Sequence, residues 1–129
     1  MSLQVELVSP ERILFTGEAD MVIARTAGGD IAFMTDHAPF LGALGIGEVR
    51  IMLTGGGEER AAVHGGFVEV FQNRVIILSD VAELASQIDV RRAREAQERV
   101  QRQADGLDEA EREAGLRRAN IRLQVARAS

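Results

Sequence analysis

Hydrophobic and polar residues alternate along roughly the first two thirds of the chain. Leu3, Val5 and Leu7 are interleaved with polar residues, and this period of two is typical of a strand with one buried face. Segments rich in β-branched and aromatic residues follow at residues 21–24, 49–53, 67–71 and 75–78. Turn sequences separate them and no helical segment intervenes, so the pattern predicts an antiparallel β-sandwich or barrel.

The pattern changes near residue 85. Residues 90–104 and 108–128 are rich in Ala, Arg, Glu and Gln, which are strong helix formers. Asp89 stands at the N-cap position before the first predicted helix. The sequence therefore predicts two domains, a β-sandwich over residues 1–85 and an antiparallel two-helix hairpin over residues 86–129.

The predicted seam between the two helices consists mostly of alanine. Its members are Ala93, Ala96, Val100, Ala104 and Leu107 on the first helix and Ala110, Ala114, Leu116, Ala119 and Leu123 on the second. A fully buried large apolar side chain contributes about 1.5–3 kcal/mol, whereas ordering the backbone costs about 1–2 kcal/mol per residue. We therefore expect a hairpin of marginal stability, as conformational switches require.

Composition excludes several classes of function. The chain has 129 residues, 20 acidic and 15 basic side chains, and a net charge of −5, which disfavours nucleic-acid binding. It has no cysteine and two histidines, so disulfides and thiolate chemistry are excluded and a zinc site is disfavoured. No apolar run is long enough to span a membrane and no signal peptide is visible, so a protein of a reducing compartment is expected.

Catalytic motifs are scarce. No serine lies in a Gly-x-Ser-x-Gly elbow, and Gly55-Gly56-Gly57 is followed by acids, without the lysine of a phosphate-binding loop. Asp36 and His37 are adjacent, so on an extended chain they point to opposite sides, and the hydrogen bond of a general-base pair is not implied. An enzyme is therefore the least favoured class of function.

Arginines of the helical part form the stronger signal. Arg118 and Arg122 share one helix face because they are four residues apart, and Arg92 and Arg99, seven apart, share a face of the first helix. If these faces converge, the guanidinium groups would bind an anion such as a phosphate. The alternative is a solvated helix surface held by pairs such as Glu95 with Arg99.

Four groups of residues follow one another along the chain: Val8-Ser-Pro-Glu-Arg12 with Phe15-Thr-Gly-Glu18, Gly29-Asp-Ile-Ala-Phe-Met-Thr-Asp-His-Ala-Pro39, Gly65-Gly-Phe-Val-Glu-Val70 and Ile88-Asp-Val-Arg-Arg-Ala93. With these segments in this order, essentially the whole chain resembles the epsilon subunits of bacterial rotary F-type ATP synthases. The sequence departs from the family at Met34-Thr35-Asp36, where the family usually has Leu-Pro-Gly.

The resemblance implies a non-catalytic subunit of the central stalk. Its β-sandwich would bind the gamma subunit and the ring of c subunits, with Asp30 in the turn that faces the c ring. Its helical tail would either fold on the sandwich or extend toward the alpha/beta catalytic hexamer and restrain ATP hydrolysis. The protein would be peripheral, on the cytoplasmic face of the bacterial inner membrane.

Some members of that family bind ATP on the folded hairpin, as a regulatory ligand and not as a required cofactor. Their Ile/Leu-Asp-x-x-Arg-Ala motif is intact here, and further binding positions match as well. The implied site consists of Glu83, Ile88, Asp89, Arg92, Ala93, Arg99, Arg118 and Arg122. A carboxylate suits the adenine amino group and arginines suit phosphates. The alternative reading is a stand-alone nucleotide-sensing module with no motor partner.

Overall fold

The computed structural model describes residues 2–102 and 109–127. A β domain comes first and two helices follow. The strands are β1 Leu3–Val8, β2 Ile13–Thr26, β3 Gly29–Met34, β4 Phe40–Leu53, β5 Glu58–Phe71, β6 Arg74–Leu78 and β7 Ala82–Leu84. A 3₁₀ turn, Ala85–Gln87, leads into the helices α1 Val90–Arg102 and α2 Glu109–Arg127. The predicted fold class, a β-sandwich followed by a helical hairpin, is confirmed.

Three long strands, β2, β4 and β5, build both layers of the sandwich. The strand order is β1-β6-β5-β4-β2-β3, and β1 also pairs with β2, so the hydrogen-bonded path closes on itself. β2 pairs with β1 along its first half and with β3 and β4 along its second half, with a register shift between Ala19 and Met21. β2 therefore leaves one layer and enters the other.

The change of layer in β5 occurs at two glycines. Residues 61–63 of β5 pair with β7, whereas residues 67–71 pair with β6. Between them Gly65 and Gly66 have φ values of +87° and +123°, which side chains rarely adopt. Ser79, just after β6, holds this corner because its one hydroxyl hydrogen is shared between the carbonyl oxygens of Gly65, at 2.7 Å, and of Val81, at 2.9 Å.

The core lies between the two layers and is built from the β domain. The largest of its fully buried side chains are Phe33, Leu3, Leu7, Ile51 and Ile77. Alternate residues of β1 fill it, as the sequence pattern predicted. Every residue of this cluster, and every partly buried side chain packed against it, precedes residue 85. The sandwich therefore has a core that does not depend on the two helices.

The loop after β3 shows how the chain accommodates its departure from the family pattern. Asp36 has a φ of +64°, a left-handed conformation that Asp tolerates better than most residues. Its backbone N–H donates to Oδ1 of Asn73 at 2.6 Å. The neighbouring His37 ring packs edge-on to Phe33, with ring centroids 5.1 Å apart. Asp36 and His37 therefore have structural contacts at this turn.

The two helices form the predicted hairpin, and α2 docks on the outer face of the sandwich. Ala62 of β5, Ala85 and Val125 of α2 make a small buried cluster, with Ile88 and Ile121 packed against it. α1 packs against α2, where a Cβ added to Gly115 would meet Val100 at 3.1 Å. The hairpin thus has two apolar contacts, one between its helices and one with the sheet.

The predicted seam between the helices is largely confirmed for the described residues. Ala93, Ala119 and Leu123 are buried, and the half-buried members are Ala96, Val100, Ala114 and Leu116. Ala110 is exposed, so this position at the start of α2 is not enclosed by the seam. The predicted members Ala104 and Leu107, and the predicted helix limits at residues 104, 108 and 128, lie outside the described residues.

Candidate functional site

A cavity of about 290 Å³ lies where the hairpin meets the end of the β domain. Six of the eight residues proposed for an ATP site line it: Glu83, Asp89, Arg92, Ala93, Arg99 and Arg122. Glu95 and Ala96 of α1 complete the lining. Residues 39 positions apart in the sequence therefore meet around one space, with side chains from β7, α1 and α2.

Asp89 caps the helix that forms one wall of this cavity. Its Oδ1 accepts a hydrogen bond of 3.0 Å from the backbone N–H of Arg92, so the predicted N-cap is confirmed. A carboxylate has further acceptor capacity beyond one hydrogen bond, and Asp89 also lines the cavity. The capping role is therefore compatible with ligand binding. The cap also fixes the first turn of α1, from which Arg92 projects.

Glu83 and Arg122 close the cavity on the side of the sandwich. Glu83 pairs with Ala62 across β7 and β5 and shares its outward face, which α2 covers. There Nε of Arg122 donates to Oε1 of Glu83 at 2.5 Å, in an ion pair that is about one quarter exposed on each side. This pair joins the hairpin to the β domain. It also engages Arg122, one of the arginines predicted to bind an anion.

Ile88 and Arg118 do not line the cavity. Ile88 packs against the cluster of Ala62, Ala85 and Val125, so it helps to dock the hairpin. Arg118 lies one turn before Arg122 on α2 and is exposed, although its charge acts on His64. The eight residues of the implied site thus have different structural roles.

His64 is the residue of this region that the sequence did not reveal. Its side chain is 4% exposed, with Nε2 3.7 Å from Oε1 of Glu83. Burial, and then the positive charge of Arg122, lower its pKa to about 4, although Glu83 acts in the opposite direction. His64 is therefore neutral at pH 7. A lone histidine before two glycines carries no sequence signal for this position.

The charges around the cavity balance. Glu83, Asp89 and Glu95 contribute three acids, and Arg92, Arg99 and Arg122 contribute three guanidinium groups. Guanidinium groups bind phosphate oxygens, and carboxylates accept hydrogen bonds from amino groups, so the lining suits a ligand with both. Among residues 2–102 and 109–127 no three His, Asp or Glu side chains come together as a metal site requires.

Asp30 does not line this cavity; it lies at the start of β3, just after the β2–β3 turn. It is exposed and forms an ion pair with Arg25, whose Nε donates to Oδ1 at 3.0 Å. Arg25 and Asp30 are direct partners across the paired strands β2 and β3. The hydrogen bond with Asp30 raises the pKa of Arg25. The turn therefore presents a charged pair at its surface, not a lone carboxylate.

A further surface of the β domain carries four exposed apolar side chains. We call it the apolar outer face. Its exposed members are Leu41 on β4, Phe67 and Phe71 on β5, and Leu78 on β6. Phe67 and Leu78 are direct partners across adjacent strands, so their side chains are neighbours on one face. Exposed apolar clusters of this kind mark sites where another protein binds.

Comparisons with known proteins agree with this architecture. The sequence model described as ATP synthase, Delta/Epsilon chain, beta-sandwich domain matches residues 2–85. The chain is 50% identical to the ATP synthase epsilon chain of Thermobifida fusca over 129 residues, covering 98% of this chain and 93% of that protein. It is 44% identical to the ATP synthase epsilon chain of Moorella thermoacetica, covering 97% and 96%.

Solved structures show the same fold. A chain of the Euglena gracilis mitochondrial ATP synthase, OSCP/F1/c-ring, gives a TM-score of 0.75 at 21% identity, covering 98% of this chain and 78% of that one. A chain of the Tetrahymena thermophila mitochondrial ATP synthase central stalk and c-ring gives 0.58 at 17% identity, covering 99% and 96%. In the described part of the chain, neither helix has the length and apolar character needed to cross a bilayer. On the sequence matches over nearly its whole length, the chain belongs to the family of ATP synthase epsilon chains.

Proposed function

We propose that this chain is a non-catalytic rotor subunit that couples the catalytic head of an F-type ATP synthase to its c ring. The full-length similarity to proteins named ATP synthase epsilon chain supports this role over that of a stand-alone nucleotide sensor. The subunit lies at the membrane surface, on the cytoplasmic side in a bacterium.

The β domain binds the two rotor partners through different surfaces. The gamma subunit docks on the apolar outer face, since Leu41, Phe67 and Leu78 offer the exposed apolar area that a stable interface buries. The c ring contacts the turn that carries Asp30 and its partner Arg25. Their charges suit the polar loops of a membrane ring.

The helical hairpin is the regulatory element. When docked it lies on the sandwich, and when released it extends toward the alpha/beta hexamer and restrains ATP hydrolysis. α1 and α2, of 13 and 19 residues, would together reach about 48 Å end to end at about 1.5 Å per residue. Residues 116–129 hold four Arg and no acid, which suits an acidic surface on the catalytic subunits.

ATP binds in the cavity and favours the docked hairpin. Arg92, Arg99 and Arg122 hold the phosphates, and Glu83 or Asp89 accepts from the adenine amino group. The lining comes from both helices and from β7, so the ligand stabilises only the arrangement in which they meet. A ligand at about one hundred times its Kd stabilises the state that binds it by about 2.7 kcal/mol. That is enough to change the position of a marginal element.

The single observation that carries the regulatory proposal is this cavity between hairpin and sandwich, with arginines from both helices. The test is the ATPase rate of the reconstituted complex with the full chain or with a chain ending at residue 85. The separate core of the β domain leads us to expect normal assembly of the shortened chain. We expect a higher ATPase rate without the hairpin, and unchanged rates in an assembled complex would refute the inhibitory role.

A further inference from the structure

His64 lies inside the surface where the hairpin docks. On β5 it shares a face with Ala62, which α2 buries, and on β4 its direct partner is the apolar Ile46. The charged groups that act on it are Glu83 from β7 and Arg118 and Arg122 from α2. Two of these three are cations, and both belong to the element that docking brings in.

The docked arrangement disfavours a protonated imidazole more than a neutral one. Neither ring nitrogen of His64 has a hydrogen-bond partner among the described residues. Its nearest carboxylate oxygen, Oε1 of Glu83, is the one that already accepts from Arg122. A proton on His64 would therefore place a buried cation beside two guanidinium groups, and the imidazolium would compete with Arg122 for Glu83.

We propose that His64 makes docking of the hairpin sensitive to protons: once protonated, it weakens the Glu83–Arg122 pair and repels Arg118 and Arg122, so the hairpin leaves the sandwich. This inference rests on the mobility of the hairpin proposed above. Release exposes His64 to water and removes both arginines, which is the state in which an imidazolium is least costly. Acidification then acts against ATP, which favours the docked state.

The direction and size of the pH effect on docking follow from the difference in the pKa of His64 between the docked and released states. The pKa of His64 is about 4 in the docked state, against the ordinary value of 6.5, so the docked chain holds fewer protons. Docking is therefore at full strength above about pH 6.5 and weakens as the pH falls toward 4. With those two values the docking equilibrium constant falls about tenfold between pH 7.5 and pH 5.5.

The test uses the isolated full chain, labelled for energy transfer between the β domain and the hairpin. The chain has no cysteine, so Glu69→Cys and Gln101→Cys, both at exposed positions, give two specific labelling sites. From the energy transfer we expect a docking equilibrium constant that falls about tenfold from pH 7.5 to pH 5.5. In the same chain with His64→Gln, we expect docking to persist at pH 5.5. His37→Gln, at the other histidine, should leave the response unchanged.

Two further readouts separate the possible failures. The imidazole Cε1–H signal of His64 should titrate well below the ordinary range while the hairpin is docked, and a normal titration midpoint in a docked chain overturns the proposal without any variant. Docking that is constant with pH, or a pH response that survives His64→Gln, also overturns it. If docking is constant with pH, Val125→Ala shows which proposal has failed. A hairpin that this variant releases is mobile, so only the role of His64 is refuted. A hairpin that stays docked in every variant refutes the mobility of the hairpin as well.

Discussion

Arg122 of α2 donates from Nε to Oε1 of Glu83 on β7, with the two atoms 2.5 Å apart although the residues are 39 positions apart in the sequence. The same two side chains line the candidate nucleotide cavity and lie beside the buried His64. Docking of the hairpin, the shape of the cavity and the protonation of His64 therefore share one ion pair. A change in any one of them is expected to alter the others.

The Glu83–Arg122 pair should stabilise the docked hairpin by about 1 kcal/mol, since it is partly shielded from solvent but not buried. The measurement is a double-mutant cycle with Glu83→Gln and Arg122→Gln, following hydrogen exchange of the α2 amides in the nucleotide-free chain. Arg102 and Glu98, an exposed pair on α1 outside the cavity, provide the control cycle with no effect on docking. Equal coupling energies in the two cycles would contradict the role of Glu83.

Val125 should contribute to docking through its apolar surface alone. It is fully buried at the contact with Ala62, so Val125→Ala removes about 1.5 kcal/mol of apolar burial from the docked state. Faster exchange of the α2 amides, by about tenfold, would follow. Val90→Ala makes the same chemical change at an exposed position of α1 and should leave the exchange rate as it was. Similar rates in the two variants would count against this contact.

The sequence predicted those features that depend on local order. Alternation gave the buried face of β1, and the Asp before a run of helix formers gave the N-cap at Asp89. It could not show which face of α2 meets the sheet, because Ile121 and Val125 become an interface only when Ala62 lies opposite them. For the same reason the sequence does not indicate that the His64 side chain is buried, because its burial is a tertiary effect.

The sequence indicated most residues of the candidate site but not the contacts that they make. Three residues of the family motif, Asp89, Arg92 and Ala93, line one cavity. The motif gave no indication that Ile88 points to the docking cluster or that Glu83 is already paired with Arg122. These contacts depend on how α2 packs against β7, and residue spacing in the sequence does not predict that packing.

Gly66 should be required for the corner of β5. A Cβ there would lie 2.0 Å from the carbonyl oxygen of Leu78, at a φ of +123°. Gly66→Ala should lower the free energy of unfolding by about 3 kcal/mol or more, measured by urea denaturation. Gly56→Ala has a similar φ of +109° but open space around it, so it should cost about 1 kcal/mol, from backbone strain alone. Equal losses would show that the close approach to Leu78 is unimportant.

The apolar outer face should matter for assembly and not for stability. Phe67 is 57% exposed, so Phe67→Ala should change the free energy of unfolding by less than about 0.5 kcal/mol. Binding to isolated gamma subunit, measured by surface plasmon resonance, should weaken at least about tenfold. Met34→Ala removes an equally exposed apolar side chain from the edge strand β3 and should bind gamma normally. If the Met34 variant is the one that binds poorly, gamma docks elsewhere.

The most direct measurement for the nucleotide-controlled hairpin is a calorimetric titration of ATP into the full chain and two arginine variants. Arg92 lines the cavity, whereas Arg94 is an exposed arginine of the same helix outside it. We predict one ATP per chain, a loss of affinity of at least about tenfold in Arg92→Ala, and unchanged binding in Arg94→Ala. The absence of binding by the unaltered chain, or equal binding by both variants, would contradict the account.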